Sequence, residues 1–161
     1  MTAKKTNALR ILEEAGVDYT TRSYVVDESD LSAISVAKKL GLEASQTFKT
    51  LVAKGEQTGV VLVSIPGDAQ LDLKALARAS GNKRVEMAPL KDVFDLTGYV
   101  RGGVSPLGLK KSFPFFLDEL TEVYDVVSIS AGVRGLQILL KPQDLIALTS
   151  AIMGDFSRFG L

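Results

Sequence analysis

A nearly uninterrupted apolar run constrains the fold of this chain most strongly. Residues 59–67 read Gly-Val-Val-Leu-Val-Ser-Ile-Pro-Gly and carry no charged side chain. A short apolar run bounded by glycines is typical of a strand buried on both faces. Residues 47–54, rich in β-forming side chains, precede it, and Gly-Glu-Gln-Thr-Gly at 55–59 connects the two runs. The pattern predicts a β-hairpin whose second strand lies inside a covered sheet.

Helices and strands are mixed around this hairpin without strict alternation. Helical periodicity and capping residues predict helices over 4–15, 32–40, 72–79, 89–96 and a closing helix over 141–151. Strand-like patterns occupy 19–26, 84–88, 113–119, 124–132 and 136–140. We therefore predict an α/β fold with a mixed sheet rather than a doubly wound one. No linker or repeat is apparent, so residues 1–161 are expected to form a single domain.

The absence of two residue types limits the chemistry available to this chain. It contains no cysteine and no histidine. Thiolate catalysis, Ser–His pairs, disulfides and the commonest metal ligand are therefore excluded. The sequence also lacks the GxxxxGK[ST] and GxGxxG nucleotide-binding motifs. Asp27, Glu28 and Asp30 lack the spacing of an EF-hand, so a solvated capping loop is favoured over a Mg²⁺ or Ca²⁺ site. We predict neither a metal nor a cofactor.

Charge and hydropathy bear on partners and location. The formal net charge is zero, which argues against a uniformly basic nucleic-acid surface. A local basic face formed by Lys49, Arg101 and four further cations, Lys83, Arg84, Lys110 and Lys111, remains open. No apolar run reaches the roughly 18 residues of a membrane helix. The charged N-terminal segment lacks the apolar core of a signal peptide, so we expect an amphipathic helix there and a cytoplasmic protein.

The first candidate site residues are Lys49 and Thr50, in the sequence Phe-Lys-Thr at the start of the first hairpin strand. If Phe48 and Thr50 face one side of the sheet, Lys49 faces the other. Lys49 then either reaches solvent from the strand or points into a cleft and holds an anion such as a phosphate. The residues alone leave both interpretations open.

The second candidate is the loop Gly102–Gly108, with the sequence Gly-Gly-Val-Ser-Pro-Leu-Gly and Arg101 before it. Glycine admits positive φ and lets a ligand approach the backbone closely. Successive free N–H groups can bind an oxyanion or a carbonyl oxygen, while a tight turn explains the same composition. Ser105 is a candidate nucleophile, but no histidine is present to activate it, so we expect it to be a hydrogen-bond donor instead.

The third candidate is Ser-Ala-Gly-Val-Arg-Gly at 130–135. The simpler interpretation is a hairpin turn with an exposed arginine. The alternative is a second glycine loop at the rim of a cleft, with Ser130 and Gly132 at the ligand and Arg134 meeting a phosphate.

Four segments, in this order, resemble the YbaK/EbsC family, free-standing relatives of the editing domain inserted in bacterial prolyl-tRNA synthetase. They are VAKKLGL…FKTLVAK, QLDLKALARASGNKRVEMA, TGYVRGGVSPLGLKK and SAGVRGLQI. The resemblance covers roughly residues 5–155 and is closest to the EbsC branch. It implies an α/β domain with a curved, barrel-like sheet flanked by helices. It also implies hydrolysis of mischarged aminoacyl-tRNA, with Cys-tRNA(Pro), and less selectively Cys-tRNA(Cys), as the substrate.

The resemblance also assigns roles to residues of this sequence. Lys49 is implied to meet the phosphate and sugar at the tRNA 3′ end, and the amides of Gly102–Pro106 to hold the aminoacyl group. Tyr24 corresponds to a tyrosine that lines the pocket. The histidine that follows this tyrosine in many relatives is missing here, where the sequence is Tyr24-Val25-Val26-Asp27. Several relatives have aspartate where this chain has Gln137, so a catalytic carboxylate is not expected there.

The mechanism implied for cysteine is substrate-assisted and agrees with the missing histidine and cysteine. The substrate thiol attacks its own ester and leaves as a thiolactone, a step that depends mainly on positioning. The implied partners are the tRNA(Pro) 3′ acceptor end and, transiently, prolyl-tRNA synthetase. Two alternatives stay open at this point. One is a deacylase for Ala-tRNA(Pro), and the other is a non-catalytic regulator that binds tRNA or the synthetase.

Overall fold

The computed structural model describes residues 5–160. The helices are α1 Asn7–Ala15, α2 Ala33–Leu40, α3 Leu73–Ser80, α4 Val93–Thr97 and α5 Pro142–Thr149. The strands are β1 Tyr19–Ser23, β2 Phe48–Gly55, β3 Gly59–Pro66, β4 Gln70–Leu71, β5 Val85–Met87, β6 Phe115–Asp118, β7 Val127–Ser130, β8 Leu136–Leu140, β9 Ile152–Gly154 and β10 Ser157–Arg158. Short 3-10 helices occupy Ala44–Gln46, Leu90–Asp92 and Glu119–Val123. The predicted helix over 89–96 is thus divided between a 3-10 turn and α4.

Polar caps fix where α2 and α3 begin. Ser32 Oγ accepts a hydrogen bond from the backbone N–H of Ser35 at 3.2 Å. Asp72 Oδ1 accepts one from the N–H of Ala75 at 3.0 Å. Each cap satisfies an N–H that has no partner within the helix. The predicted start of α2 is therefore confirmed, and α3 begins one residue after the aspartate that caps it.

A five-stranded mixed sheet in the order β5–β2–β3–β6–β9 forms the centre of the fold. The predicted hairpin is β2 and β3, which pair antiparallel from Phe48 opposite Pro66 to Gly55 opposite Gly59. β6 runs parallel to β3, and β9 runs parallel to β6. The sheet therefore combines both strand directions, as the irregular order of elements predicts.

The side chains of β3 alternate between two hydrophobic clusters. Leu62 belongs to a cluster that includes residues of β7, β8, α1 and α5. Val61, Val63 and Ile65 belong to a cluster on the opposite face, which α3 and Phe156 complete. The four β3 side chains are fully buried, which confirms that the apolar run is a strand covered on both faces.

The second sheet is antiparallel and has the order β1–β8–β7. It meets the first sheet where Thr47, just before β2, forms an isolated bridge with Ser128 of β7. β5 pairs with the other end of the same β2 edge, at Ala53–Gly55. Between these two contacts, no strand among residues 5–160 pairs with this edge. A gap therefore opens in the sheet along the first half of β2.

The mixed α/β architecture is confirmed, but the expected barrel-like sheet is not a closed barrel. Within the described residues the strands divide into sheets of five, three and two, the smallest being β4 with β10. β7 contacts the start of β2 and then turns back into β8, so the two large sheets share one bridge rather than a ladder. This incomplete junction leaves the gap along β2 open.

The chain continues past the helix that the sequence predicts as the closing element. β9 and β10 follow α5, and the sequence patterns indicated neither of them. The buried carboxylate of Asp118 holds this segment, because its Oδ2 accepts hydrogen bonds from the N–H of Phe156 at 2.9 Å and from Ser157 Oγ at 2.6 Å. Strands of two or three residues carry too little periodicity for recognition from sequence alone.

Candidate active site

The gap along β2 lies in a cleft of about 560 Å³. Residues 29–34 before and within α2, residues 47–52, residues 87–93 and the loop at 101–104 contribute to its lining. Ser130 of β7 and Gln137 of β8 also line it, and because both are buried we call them the floor. A concave site of this size, largely apolar with a few polar groups, is typical of a small-molecule or terminal-group binding site.

Lys49 lies in the cleft wall and is half-buried. Its Nζ donates a hydrogen bond of 3.2 Å to the carbonyl of Gly67. Burial lowers the pKa of this ammonium from its ordinary value of 10.5, and the charge of Asp68 partly opposes the shift. Because an ammonium carries three protons, two donors remain for an anion in the cleft. This geometry favours the cleft interpretation of Lys49 over the solvent-exposed one.

Thr50 follows Lys49 and also lines the cleft. Its Oγ1 shares a hydrogen bond of 2.7 Å with Ser64 Oγ across the hairpin. The carbonyl of Val52 accepts from the N–H of Ala88 on the β5 side of the strand. Backbone groups two residues apart on a strand point to the same side, so those of Thr50 point towards the gap. The gap thus exposes a backbone donor and acceptor that sequence reasoning did not identify.

The glycine loop presents only its first part to the cleft. Arg101, Gly102 and Val104 line the cleft, whereas Gly103, Ser105 and Pro106 are buried behind them. The N–H of Gly103 donates to the carbonyl of Val100 at 2.9 Å. Among residues 5–160 no acceptor is found for the N–H groups of Gly102 and Val104. These two amides are therefore the candidate oxyanion or carbonyl donors of the loop.

Ser105 has a local structural role in this loop. It is completely buried, and its Oγ accepts a hydrogen bond from the N–H of Leu107 at 3.3 Å. Ser105 does not line the cleft. The hydroxyl is expected to be a donor, whereas the bond seen here is one that it accepts within its own loop.

The two predicted glycine loops lie against each other. Arg134 Nε donates a hydrogen bond of 2.7 Å to the carbonyl of Arg101. A Cβ on Gly103 would lie 3.2 Å from the backbone N of Arg134, so the two backbones are in close contact. Residues 131–135 form the turn between β7 and β8, as the simpler interpretation predicts. The position of Arg134 beside Arg101 also places its guanidinium next to a residue of the cleft lining.

Tyr99 connects these loops, and sequence reasoning did not single it out. Its hydroxyl donates to the carbonyls of Leu107 at 2.6 Å and Gly108 at 3.0 Å. A Cβ on Gly132 would lie 2.7 Å from Tyr99 Cε1, so the ring lies directly against that glycine. Burial raises the pKa of the hydroxyl to about 12, so it remains a donor over the physiological range. Tyr99 lies within the segment TGYVRGGVSPLG, the one signal that could have identified it.

Four predicted substrate-binding residues do not line the cleft, namely Tyr24, Gly108, Gly132 and Arg134. Tyr24 is half-buried, and Lys39 Nζ lies 5.9 Å from the centre of its ring. A Cβ on Gly108 would lie 2.7 Å from the backbone carbon of Asn7, so this glycine packs against the start of α1. Gly132 contacts Tyr99, as described above. In this structure these residues support the loops and elements around the cleft.

The acidic residues at 27–30 form no metal site in the described part of the chain. No group of three His, Cys, Asp or Glu side chains suited to a metal occurs within residues 5–160. Asp27 accepts from the N–H of Ser29, and Asp30 accepts from the N–H of Ser32, so both carboxylates order the loop, whereas Ser32 caps α2. Hydrogen bonds from the two serine hydroxyls, and then these backbone bonds, lower the pKa of both carboxyls. No helix in residues 5–160 is long and apolar enough to cross a membrane.

Comparison with known proteins identifies the family. The sequence profile of the aminoacyl-tRNA editing domain matches residues 28–148. The chain belongs to this editing-domain family. The matched segment runs from the loop before α2 to α5 and includes every residue of the cleft lining.

Individual relatives of this editing domain agree with the assignment. It is 50% identical over 157 residues to the "Putative Cys-tRNA(Pro)/Cys-tRNA(Cys) deacylase EbsC" of Enterococcus faecalis, covering 98% of this chain and 94% of the relative. It is 28% identical to the "Multifunctional Ser/Thr-tRNA deacylase ProXp-y" of Escherichia coli K12, covering 93% and 90% of the two chains. A solved structure of "a putative trans-editing enzyme for prolyl tRNA synthetase" superimposes with a TM-score of 0.83 at 30% identity, covering 97% and 99%. These likenesses confirm the predicted YbaK/EbsC resemblance and the fold class.

The editing domain also has lining residues that the sequence patterns did not reveal. Ile34, Met87 and Leu90 line the cleft and are exposed at its rim. Gly67 also lines the cleft and packs against the backbone of Thr47, because a Cβ on it would lie 2.7 Å from the carbonyl oxygen of Thr47. The predicted basic face is divided, because Lys49 and Arg101 line the cleft whereas Lys83 and Arg84 line a separate depression with Lys54. No local motif shows which of these residues share the cleft, since they come together only in the folded chain.

Proposed function

We propose that this editing domain is a free-standing hydrolase that deacylates mischarged Cys-tRNA(Pro). The observation that carries the proposal is the cleft, which combines the half-buried ammonium of Lys49 with the amides of Gly102 and Val104, for which no acceptor is found among residues 5–160. An ammonium suits the phosphate of a tRNA 3′ end, and amides suit an ester carbonyl. The relative that is 50% identical supports cysteine and tRNA(Pro) as the substrate.

The proposed chemistry uses the substrate as its own nucleophile. The cysteine thiol gives up its proton and attacks the ester carbonyl carbon, forming a carbon–sulfur bond. The bond from that carbon to the ribose oxygen then breaks, and the ribose oxygen takes up a proton. The products are the free tRNA and cysteine thiolactone, which water opens to cysteine. No residue of this chain supplies a thiol or an imidazole, in agreement with a step that needs neither.

The role of the protein in this scheme is positioning and charge stabilisation. Lys49 anchors the terminal phosphate and sugar, and the Gly102 and Val104 amides hold the carbonyl oxygen as it gains negative charge. Thr50 offers its backbone groups to the terminal nucleotide, and Arg101 lies at the same wall. Holding the thiol and the carbonyl at reacting distance contributes on the order of 7–11 kcal/mol in well-oriented intramolecular reactions.

The proposed partners are the 3′ acceptor end of tRNA(Pro) and, transiently, prolyl-tRNA synthetase. The domain resembles a trans-editing enzyme for that synthetase over nearly its whole length, which supports this pairing. We assign the 3′ end of the tRNA to the cleft, and we assign no residue among 5–160 to reading the anticodon. Selection of tRNA(Pro) is therefore assigned to the synthetase.

A second candidate substrate is a hydroxyl amino acid. The Escherichia coli relative acts on Ser- and Thr-tRNA according to its name, and its likeness covers 93% of this chain. Serine has the same shape as cysteine but a weaker nucleophile near neutral pH. If the substrate thiol attacks, Ser-tRNA(Pro) reacts far more slowly than Cys-tRNA(Pro), whereas attack by water would make the two rates similar.

The decisive experiment compares tRNA(Pro) charged with cysteine, serine or alanine, with and without prolyl-tRNA synthetase. We expect rapid release from Cys-tRNA(Pro), with cysteine thiolactone detected by mass spectrometry after rapid quenching. Release of cysteine no faster than spontaneous hydrolysis would overturn the proposed activity and favour a binding regulator. Equal rates for cysteine and serine without thiolactone would overturn the mechanism but not the activity. Preference for alanine would identify an Ala-tRNA(Pro) deacylase.

A further inference from the structure

We infer that Gln137 recognises the side-chain heteroatom of the bound amino acid and so determines which aminoacyl group the cleft accepts. The inference rests on the proposed function, because it assumes an aminoacyl ester in the cleft. Gln137 is only 5% exposed, yet it contributes to the lining. A buried polar side chain in a largely apolar wall needs hydrogen-bond partners for its polar atoms. Within residues 5–160, the Nε2 atom of Gln137 has no acceptor.

The strand register places Gln137 at the floor. It pairs directly with Ser130 across β7 and β8, so both side chains lie on the same face of the second sheet. Ile129 and Ile138, the next residues along each strand, lie on the opposite face and belong to the core. The two polar residues therefore point away from the core.

One end of the Gln137 amide is fixed by the protein. Its Oε1 accepts a hydrogen bond from Ser128 Oγ at 2.8 Å, and Ser128 is completely buried. No acceptor for Nε2 is found among residues 5–160. In the same residues, every side-chain N or O atom that is fully enclosed has a hydrogen-bond partner, so Nε2 is not fully enclosed. Nε2 therefore keeps accessible surface, and the space that Gln137 borders is the cleft.

Ser130 adds a second donor beside this amide. Its Oγ accepts a hydrogen bond from the N–H of Gly132 at 3.1 Å, and no acceptor for its own proton is found within the described chain. Nε2 and this hydroxyl form a neutral pair of donors, which suits a neutral acceptor such as a thiol sulfur or a hydroxyl oxygen. An ammonium group, which only donates, gains no hydrogen bond from Nε2, which also only donates.

The position at the floor decides which part of the substrate meets the donors. The tRNA must remain outside, so the nucleotide end occupies the open part of the cleft near Lys49. The amino-acid side chain is the part of the ester farthest from the tRNA and extends to the floor. A side chain that ends in a methyl group leaves Nε2 without an acceptor, and such unpaired polar groups are an effective basis for discrimination.

The test measures binding of two adenosine derivatives that differ in one group. They are 3′-amino-3′-deoxyadenosine acylated with cysteine or with 2-aminobutyrate, in which a methyl group replaces the thiol and the amide link resists cleavage. We expect wild-type protein to bind the cysteinyl compound about three- to tenfold more tightly, the range for one neutral hydrogen bond. Gln137→Met, which keeps the shape of the side chain without its donor, should remove most of this preference.

Controls separate recognition from folding. The double variant Gln137→Met with Ser128→Ala removes both members of the buried hydrogen bond and leaves no unpaired atom, so it serves if the single variant is unstable. Gln46→Met is the matched control, because Gln46 Nε2 donates to the carbonyl of Val126 at 2.9 Å and Gln46 does not line the cleft. We expect the preference to persist in this control.

The outcomes distinguish this inference from the proposed function. A cysteinyl preference that persists in Gln137→Met and in the double variant would overturn the role of Gln137, even if Cys-tRNA(Pro) is hydrolysed. A wild-type protein that binds both compounds equally would overturn it as well. Failure of the wild type to hydrolyse Cys-tRNA(Pro) would instead contradict the proposed function. Loss of the preference in both Gln137 variants, with Gln46→Met unchanged, supports the inference.

Discussion

The hydroxyl of Tyr99 donates a hydrogen bond of 2.6 Å to the backbone carbonyl of Leu107. The ring of the same tyrosine lies directly against Gly132, at the turn between β7 and β8. One side chain thus joins the glycine loop to the second glycine turn, and both elements adjoin the cleft. The stability of this connection is open to direct measurement.

Tyr99→Phe removes the hydroxyl while keeping the ring. We expect a loss of about 1–2 kcal/mol in the free energy of unfolding, because two carbonyl groups lose a buried donor. Urea denaturation at neutral pH measures the change. Tyr124→Phe is a suitable control, since Tyr124 shares a hydrogen bond with Ser45 and does not line the cleft. Deacylation should slow in Tyr99→Phe and not in the control, and unchanged stability of Tyr99→Phe would contradict the role described here.

The raised pKa of Tyr99 predicts a characteristic loss of stability at high pH. An unfolded tyrosine ionises near its ordinary value of 10.0, whereas the folded protein holds the pKa of Tyr99 at about 12. The contribution of Tyr99 is therefore complete below pH 10 and declines as the pH rises towards 12, because the unfolded chain loses its proton first. Lys49 changes the free energy of unfolding with the opposite sign as the pH rises, because burial lowers its pKa and the folded chain loses this proton first. Comparing unfolding free energies of wild type and Tyr99→Phe cancels that contribution, and the difference between them should shrink between pH 10 and 12.

Gly132→Ala tests the contact between Gly132 and the ring of Tyr99 by changing the glycine instead of the tyrosine. Gly132 has φ 98°, and its Cβ would lie 2.7 Å from Tyr99 Cε1. A left-handed conformation costs a non-glycine residue about 1–2 kcal/mol, and forced overpacking adds about 1–3 kcal/mol. Gly16→Ala is the matched control, because Gly16 has φ 68° and nothing within 4 Å of its Cβ position. Thermal or urea unfolding should show a larger loss in the free energy of unfolding for Gly132→Ala than for Gly16→Ala. Equal losses would show that the Tyr99 ring moves aside at little cost.

Lys49→Met removes the charge from the cleft wall and keeps much of the side-chain volume. We expect single-turnover deacylation of Cys-tRNA(Pro) to fall by roughly 10–100-fold, since a charge-assisted contact is worth about 1.5–3 kcal/mol. Stability should change by less than about 1 kcal/mol, because the variant also loses the cost of burying an ammonium. Lys54→Met provides the comparison on the same strand. Lys54 lies outside the cleft and pairs with Asp92 at 3.5 Å, so this change should leave activity unaltered. Near-normal deacylation by Lys49→Met would remove Lys49 from the proposed site.

Local sequence patterns predicted the hairpin and most of the longer elements correctly. The apolar run at 59–67 contains nearly all of the evidence for β3, since its glycines, length and composition each indicate a buried strand. Ser32 and Asp72 mark helix starts because a capping bond joins residues three positions apart. The short strands β9 and β10 gave no such signal, since they pair with β6 and β4, which lie far from them in sequence.

The candidate site was predictable in part. Lys49, Thr50, Arg101 and Gly102 lie in sequence motifs, and the cleft brings them together with Ser130. Tyr99 and Gln137 gave no comparable signal by composition, because an aromatic residue near a loop and a glutamine on a strand have many ordinary roles. Tyr24, Gly108, Gly132 and Arg134 lie behind or beside the cleft instead of in its lining. Their roles at the substrate stay predictions.

The sequence by itself determined the class of chemistry and the central strands. The lack of cysteine and histidine is a property of composition, and strand burial follows from local alternation and hydropathy, so neither needs a folded chain. Only the tertiary structure decided where the cleft opens and which side chains line it. β7 contacts β2 at Thr47 and β5 pairs with it from Ala53, and the cleft lies in the interval between. That interval depends on strands far apart in sequence, whose positions are set by packing of the whole core rather than by any local pattern.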